Sequence, residues 1–175
     1  MTKNKFYPSL VLGAISIVIA ALLALVNSIT APKIQYNNDK KAEAALVEVL
    51  PDNSDFSDVA LTDNLPASID LVKKSAQGGY VFRAVVTGKS AGFTIMIGVD
   101  RDGKIAGTKC TANQETPSYS KPVFDKTESG YYVGMTESSF DAFIVSGATL
   151  TSSAYARAVE DALTAFSILS GGDAQ

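Results

Sequence analysis

The sequence predicts an α+β protein, with one N-terminal membrane-spanning helix followed by a domain built on an antiparallel sheet with flanking helices. Three observations carry this. Leu10–Val26 is an uncharged apolar run. Strand-like segments between Tyr80 and Thr111 are separated by short turns containing Gly, the pattern of a meander. Ser153–Phe166 is rich in helix formers and holds neither Gly nor Pro.

The chain has 175 residues, room for an anchor and one domain. With Ser9 and Asn27–Ile29 added, the apolar run reaches about 20 residues, the length that spans a bilayer as a helix. Lys3 and Lys5 precede it, which favours a cytoplasmic N-terminus. No good small-x-small site follows the run, so it is expected as an uncleaved anchor. Ala31-Pro32 is expected to end the span. Lys40–Leu50 then reads as a short amphipathic helix with Ala44, Leu46, Val47 and Leu50 near one face, stopped by Pro51. The polar stretch Asp52–Pro66 reads as loop. The expected divisions are a basic tail (1–8), a transmembrane helix (9–30), a linker with a short helix (31–66) and a domain (67–175).

Within that domain, Tyr80–Thr87, Phe93–Val99 and Lys104–Thr111 are the expected strands. Gly88–Gly92 and Asp100–Gly103 are the turns between them. The second turn begins like a calcium loop, but Lys104 and Thr111 occupy positions that need acids, so it is a plain hairpin turn. Gln114–Ser120 reads as loop, Lys121–Ser129 as helix, and Gly130–Gly134 as strand or loop. Phe140–Val145 is expected as a final strand. Tyr131 and Tyr132 read as core aromatics, with stacking on a planar ligand as the minority case.

Composition excludes several chemistries. Net charge is −3 and pI about 4.9, so bulk charge gives no support to nucleic-acid binding. No His is present, which removes His-ligated metals and haem and the Ser-His-Asp triad. The single Cys110 cannot form an internal disulfide and is expected as a small core residue. No catalytic residue and no metal-ligand set is assigned. Any redox chemistry must come from a bound organic cofactor.

The densest signal is Ser146-Gly147-Ala148-Thr149-Leu150-Thr151-Ser152, small and hydroxylated residues entering the last helix near Ser152. A helix N-terminus offers unpaired N–H groups and a positive dipole end, which together suit a phosphate. Gly147 and Ala148 leave room for close backbone approach. The same residues also suit an ordinary N-cap, and the residues alone leave both readings open.

This string resembles the flavinylation motif Asp-x-x-[Ser/Thr]-Gly-Ala-Thr-x-[Ser/Thr] of FMN-binding domains. Such domains occur in the G subunit of the Rnf complex and in the C subunit of the sodium-pumping NADH:quinone reductase. Glu115-Thr116-Pro117 is similar to the Glu-Thr-Pro-Gly-x-Gly loop of the same family, with Ser118 and Ser120 where Gly is usual. The resemblance covers the chain in order: basic tail, one span, Val49-Leu50-Pro51, the Gly79-Tyr80 strand, the Asp102-Gly103-Lys104-Ile105 hairpin, Glu-Thr-Pro and the Ser-Gly-Ala-Thr motif. One departure is Phe143, which stands where the motif has Asp; the nearest acid is Asp141, which a bulge would have to bring into place.

The resemblance implies that Thr149 carries FMN through a phosphodiester, with Ser146, Gly147, Ala148, Thr151 and Ser152 around the attachment point. It implies that Glu115 and Thr116 lie near the flavin. It implies a separate flavin transferase using FAD and Mg²⁺, and other subunits of an Rnf-type ferredoxin:NAD⁺ oxidoreductase as partners in the lipid bilayer. The protein would be an electron relay, not catalytic alone, in a complex that translocates sodium or protons. It would sit in the cell membrane with the FMN domain on the extracytoplasmic side. The alternatives are the quinone-reductase C subunit, a stand-alone flavinylated protein of extracellular electron transfer, and a cofactor-free membrane-anchored interaction protein.

Overall fold

The computed structural model describes residues 7–51, 53–89 and 92–172. Lys3 and Lys5 of the basic tail, Asp52, and Ser90-Ala91 at the tip of the first expected turn lie outside the described residues. The chain divides into two compact units, residues 1–40 and 41–175.

Helix α1 is Tyr7–Val49. In the first unit, every residue from Pro8 to Ile34 is exposed. Leu10–Ile29 covers about 30 Å at the helical rise, the thickness of a bilayer core, and the helix is long and apolar enough to cross a membrane. Three of its hydroxyls are tied back onto the helix. Ser16 donates to the Leu12 carbonyl at 2.9 Å, Ser28 to Leu25 at 2.8 Å and Thr30 to Val26 at 2.7 Å. That is how polar side chains are satisfied where water is absent.

Helix α1 continues through Pro32, where the span was expected to end, so the chain beyond the apolar run stays helical. Pro32 removes only its own N–H, and a single missing helical bond is tolerated in spanning helices. The short helix expected at Lys40–Leu50 is therefore the last turns of α1. Its buried face also differs. Ala45, Leu46, Val49 and Leu50 are buried, while Ala44 is exposed and Val47 is 62% exposed. The i, i+1, i+4 stripe beginning at Ala45 wins over the one beginning at Ala44 because it meets the sheet.

The second unit is built on five strands in sequential antiparallel order: β1 Ser57–Val59, β2 Ile69–Lys74, β3 Tyr80–Thr87, β4 Gly92–Val99 and β5 Ile105–Asn113. The three long strands lie where the alternation placed them, and the meander is as expected. β1 and β2 are additions. β1 is short and polar, as an edge strand should be, so it carries no apolar alternation to detect. Cross-strand ion pairs hold this edge: Lys73 to Asp58 at 2.6 Å, directly opposite in register, and Arg83 to Asp70 at 2.7 Å.

The sheet is covered on both faces. On one face Tyr80, Phe82, Phe93, Ile95, Ile97 and Val99 pack against helix α2, Pro117–Lys126, and helix α3, Thr149–Gly172. On the other, Val81 and Met96 pack against Ala45, Leu46, Val49 and Leu50. Gly98 and Gly107, paired across β4 and β5, make room for that second contact. A Cβ on Gly98 would lie 2.1 Å from the Val49 carbonyl oxygen, and one on Gly107 2.9 Å from it.

Two further expectations from the sequence are corrected. Helix α2 begins at Pro117, inside the segment expected as loop, and passes into a π-helical turn at Thr127–Tyr131. Phe140–Val145 forms no strand. Its aromatic side chains are anchored elsewhere: Phe140 stacks on the fully buried Tyr132 at 5.8 Å, and Phe143 packs on Tyr131 at 4.9 Å.

Gly98→Ala is expected to lower stability by about 2–4 kcal/mol, because the colliding atom is backbone and cannot rotate away; urea denaturation of the full chain followed by circular dichroism checks it. Cys110 packs against the main core, and burial pushes its thiol up to about 12. Native protein at pH 8 should therefore be alkylated at Cys110 far more slowly than denatured protein.

Candidate functional site

The motif forms a turn and the first residues of α3. The Ala148 N–H donates to the Val145 carbonyl at 3.0 Å, closing a turn in which Gly147 takes φ +83°. That third turn position favours Gly. A Cβ on Gly147 would meet nothing within 4 Å, so the glycine is required by backbone conformation and the space above it is open. Ala148 instead is buried in the core beneath the turn.

α3 begins at Thr149, three residues before the start expected from the sequence. Its first helical bond runs from the Ser152 N–H to the Ala148 carbonyl at 2.9 Å. The N–H groups of Thr149, Leu150 and Thr151 thus precede the helical ladder. The Ser152 hydroxyl lies 3.0 Å from the Ala148 carbonyl and 3.2 Å from the Thr149 carbonyl, and accepts the Val145 N–H at 3.1 Å. Ser152 therefore clasps the turn to the helix.

The hydroxyls of the motif divide into two kinds. Thr151 and Ser152 are fully buried and engaged. Ser146 and Thr149 are exposed, and among the described residues neither hydroxyl has a hydrogen-bond partner. Only Thr149 of this pair stands on the helix end itself, next to the three N–H groups. Leu150 beside it is 61% exposed.

Glu115 is brought to the motif by the fold. Its carboxylate accepts the Thr151 hydroxyl at 3.1 Å and the Lys89 N–H at 3.2 Å. A Cβ on Gly88 would lie 3.0 Å from Glu115 Oε1. One carboxylate thus joins the end of β3, the Glu-Thr-Pro segment and the first turn of α3. Asn113 holds Glu115 from behind: its side-chain oxygen accepts the Glu115 N–H at 2.7 Å, and its amide donates to the Ser120 hydroxyl at 3.1 Å. Thr116 does not join this cluster. It is exposed, precedes α2 and makes no capping bond with its hydroxyl.

Ser118 and Ser120 have a local explanation. Both lie within α2, where no positive φ is required. Ser120 is buried and supplies the hydroxyl that Asn113 uses. Asp141 is not carried toward the motif by a bulge, since no strand forms there; it accepts the Tyr131 hydroxyl at 3.1 Å. Phe143 donates its N–H to the Tyr132 hydroxyl oxygen at 3.1 Å. Tyr132 stacks on Tyr155 at 6.1 Å deep in the core, so it is closed to any ligand.

Sequence reasoning missed Asn113, Lys89 and Tyr119. The Lys89 ammonium sits 3.7 Å from the Tyr119 ring centroid, a cation–π contact that holds the β3–β4 turn over α2. Asn113 was detectable, because Asn followed two residues later by a loop N–H is the signature of an Asx turn.

Similarity to known proteins follows the same lines. Residues 88–164 match the FMN-binding domain, and residues 1–49 match the RnfG N-terminal region. The G subunit of the ion-translocating oxidoreductase complex of Shewanella amazonensis is 27% identical over 93% of this chain and 88% of its own length. The G subunit of the Na(+)-translocating ferredoxin:NAD(+) oxidoreductase complex of Acetobacterium woodii is 32% identical over 66% of this chain and 63% of its own. The G subunit of the ion-translocating oxidoreductase complex of Cereibacter sphaeroides is 27% identical over 94% and 85%. The site fits the cofactor of that domain: among the described residues it has an exposed hydroxyl without a partner, N–H groups ahead of the helical ladder for a phosphate, and open space over Gly147. The chain thus matches the FMN-binding domain over residues 88–164, with a match to the RnfG N-terminal region over residues 1–49 ahead of it.

Proposed function

We propose that this protein is the electron-relay G subunit of an Rnf-type, ion-translocating ferredoxin:NAD⁺ oxidoreductase complex, carrying FMN on Thr149. The relatives bear that subunit's name, and the match to the RnfG N-terminal region favours it over the C subunit of the quinone reductase. The single observation behind the attachment site is the division among the motif's hydroxyls. Thr149 is exposed and unengaged at the helix end, while Thr151 and Ser152 are buried and bonded.

The residues take distinct roles. The Thr149 hydroxyl accepts the FMN phosphoryl group from FAD, losing its proton as AMP leaves, in a step that a separate transferase with Mg²⁺ performs. The N–H groups of Thr149, Leu150 and Thr151 and the dipole of α3 favour the resulting phosphodiester anion. Gly147 and Ser146 keep the turn open beside it. Ser152 and Ala148 fix the turn from below, and Thr151 locks the helix start to Glu115. Glu115 is therefore a positioning residue, and Thr116 lies at the rim. FMN, when bound, supplies reversible electron transfer; the protein supplies attachment and position. A covalent bond prevents loss of the cofactor by dilution on the extracytoplasmic side, where the domain is assigned with the N-terminus in the cytoplasm. In this reading residues 9–30 cross the cell membrane and the remaining subunits of the complex are the partners.

Thr149→Ala, co-expressed with the transferase, is expected to lose all flavin fluorescence from the denatured band on a gel, while Thr151→Ala keeps it. Flavin persisting on denatured Thr149→Ala protein would remove the assignment. Thr151→Ala should still lose about 1–3 kcal/mol of stability, because a buried hydrogen bond to a carboxylate is removed; its denaturation midpoint measures this. A reporter fused after Gln175 should be active only as an extracytoplasmic fusion, and cytoplasmic activity would reverse the topology.

A further inference from the structure

We propose that the part of α1 just beyond the apolar run binds anionic phospholipid headgroups through a stripe of Lys33, Tyr36 and Lys40. The inference rests on the reading that Leu10–Ile29 crosses a bilayer. Ile29, Lys33, Tyr36 and Lys40 are spaced by four, three and four residues in one uninterrupted helix, which places them on a single face. All four are exposed. The stripe begins with an aliphatic residue at the end of the span and continues with a cation, an aromatic ring and a second cation.

Helical rise sets their heights. With Ile29 at the edge of the hydrocarbon, Lys33 stands about 6 Å, Tyr36 about 10 Å and Lys40 about 16 Å beyond it. The headgroup layer is roughly 5–8 Å deep on each side. Lys33 therefore sits within it and the Tyr36 backbone just above it, with the ring turned back toward the headgroups, where amphipathic rings concentrate. Lys40 is too high by backbone position alone. Its side chain, however, turns back toward the N-terminus of the helix, as helical side chains do, and its ammonium lies 4.8 Å from the Tyr36 ring centroid. That contact brings the charge down to the level of the ring, within a Debye length of the headgroups.

The local charge balance suits an anionic surface. Residues 30–42 hold one acid, Asp39, against Lys33, Lys40 and Lys41, in a chain whose net charge is −3. A free phosphate has no cradle here, since a mid-helix stripe offers side-chain ammonium groups and no unpaired backbone N–H. A headgroup anchored by its acyl chains beside Ile29 needs only those side chains.

The test uses the full-length protein in non-ionic detergent and native mass spectrometry of the lipid it retains. Phosphatidylglycerol and phosphatidylcholine of matched acyl chains are the probes. Wild type should retain phosphatidylglycerol in preference. Lys33→Gln should reduce that preference about five-fold, Lys40→Gln less because it reaches the layer only through its side chain, and the double variant roughly twenty-fold. Equal retention of both lipids by wild type, or an unchanged preference in the double variant, would overturn the proposal. So would an unchanged lipid preference together with loss of co-purifying subunits, which would assign this face to a protein partner. Flotation with phosphatidylcholine vesicles separates the two readings. Wild type and double variant should both float if the span is sound, and wild type failing to float would bring down the spanning reading and this one together.

Discussion

A carboxylate buried to 5% exposure must gather hydrogen-bond donors from whatever surrounds it, or its charge becomes very costly. Among the described residues, Glu115 gathers them from the Lys89 N–H and the Thr151 hydroxyl, far apart in the chain. Those bonds set the position of α3 relative to the β3–β4 turn. They also fix which hydroxyl of the motif faces outward. With Thr151 turned in toward Glu115, Thr149, two residues earlier and about 200° around the helix, is turned out. Exposure of Thr149 is thus a consequence of a buried interaction two residues away, and Ser152 reinforces it by holding the turn from the same inner side.

The sheet works as a platform because both of its faces are occupied by different means. The α3 face is filled by bulk, with Tyr155 stacked between Tyr132 and Phe93 and Ala158, Val159 and Ala162 beneath it. The other face is filled by absence. Gly98 and Gly107 lower the surface so that the backbone at Val49 can come into contact, and Gly79 does the same for Leu50. Close packing leaves little tolerance for a misplaced methyl group there. Ala45 to Leu50 are therefore docked on the sheet and do not form a free linker.

What could be read from the sequence follows the strength of local signals. β3, β4 and β5 alternate cleanly and are bounded by Asp-Gly and Gly-containing turns, so their existence and order were plain. β1 is too short and polar to show a period, and β2 mixes Asp70, Lys73 and Lys74 with its apolar residues. Phe140–Val145 looked like a strand because aromatic and β-branched residues favour strands, yet its rings found partners in Tyr131 and Tyr132 and drew the backbone out of line. Pro32 and Pro117 mislead in opposite ways. The first is a helix breaker that does not break, and the second is a helix starter inside a string that resembles a loop. At the site, the motif itself was legible as a phosphate-suited helix entrance. Its internal geometry was not, because which hydroxyl is buried depends on Glu115, 36 residues from Thr151. No local pattern encodes a contact at that separation. Thr116 shows the reverse case: it belongs to the recognisable string but stands outside the cluster.

Thr149 is the motif hydroxyl that is at once exposed, unengaged and seated on the helix end, and the flavin assignment stands or falls with it. The most direct measurement is peptide fragmentation mass spectrometry of the protein purified from its native membrane, locating any flavin phosphoryl group to a single residue. The predicted result is an adduct equal to FMN less water on Thr149 and none on Ser146, Thr151 or Ser152. An adduct on any of those three, or an unmodified peptide from cells with an active transferase, would contradict it.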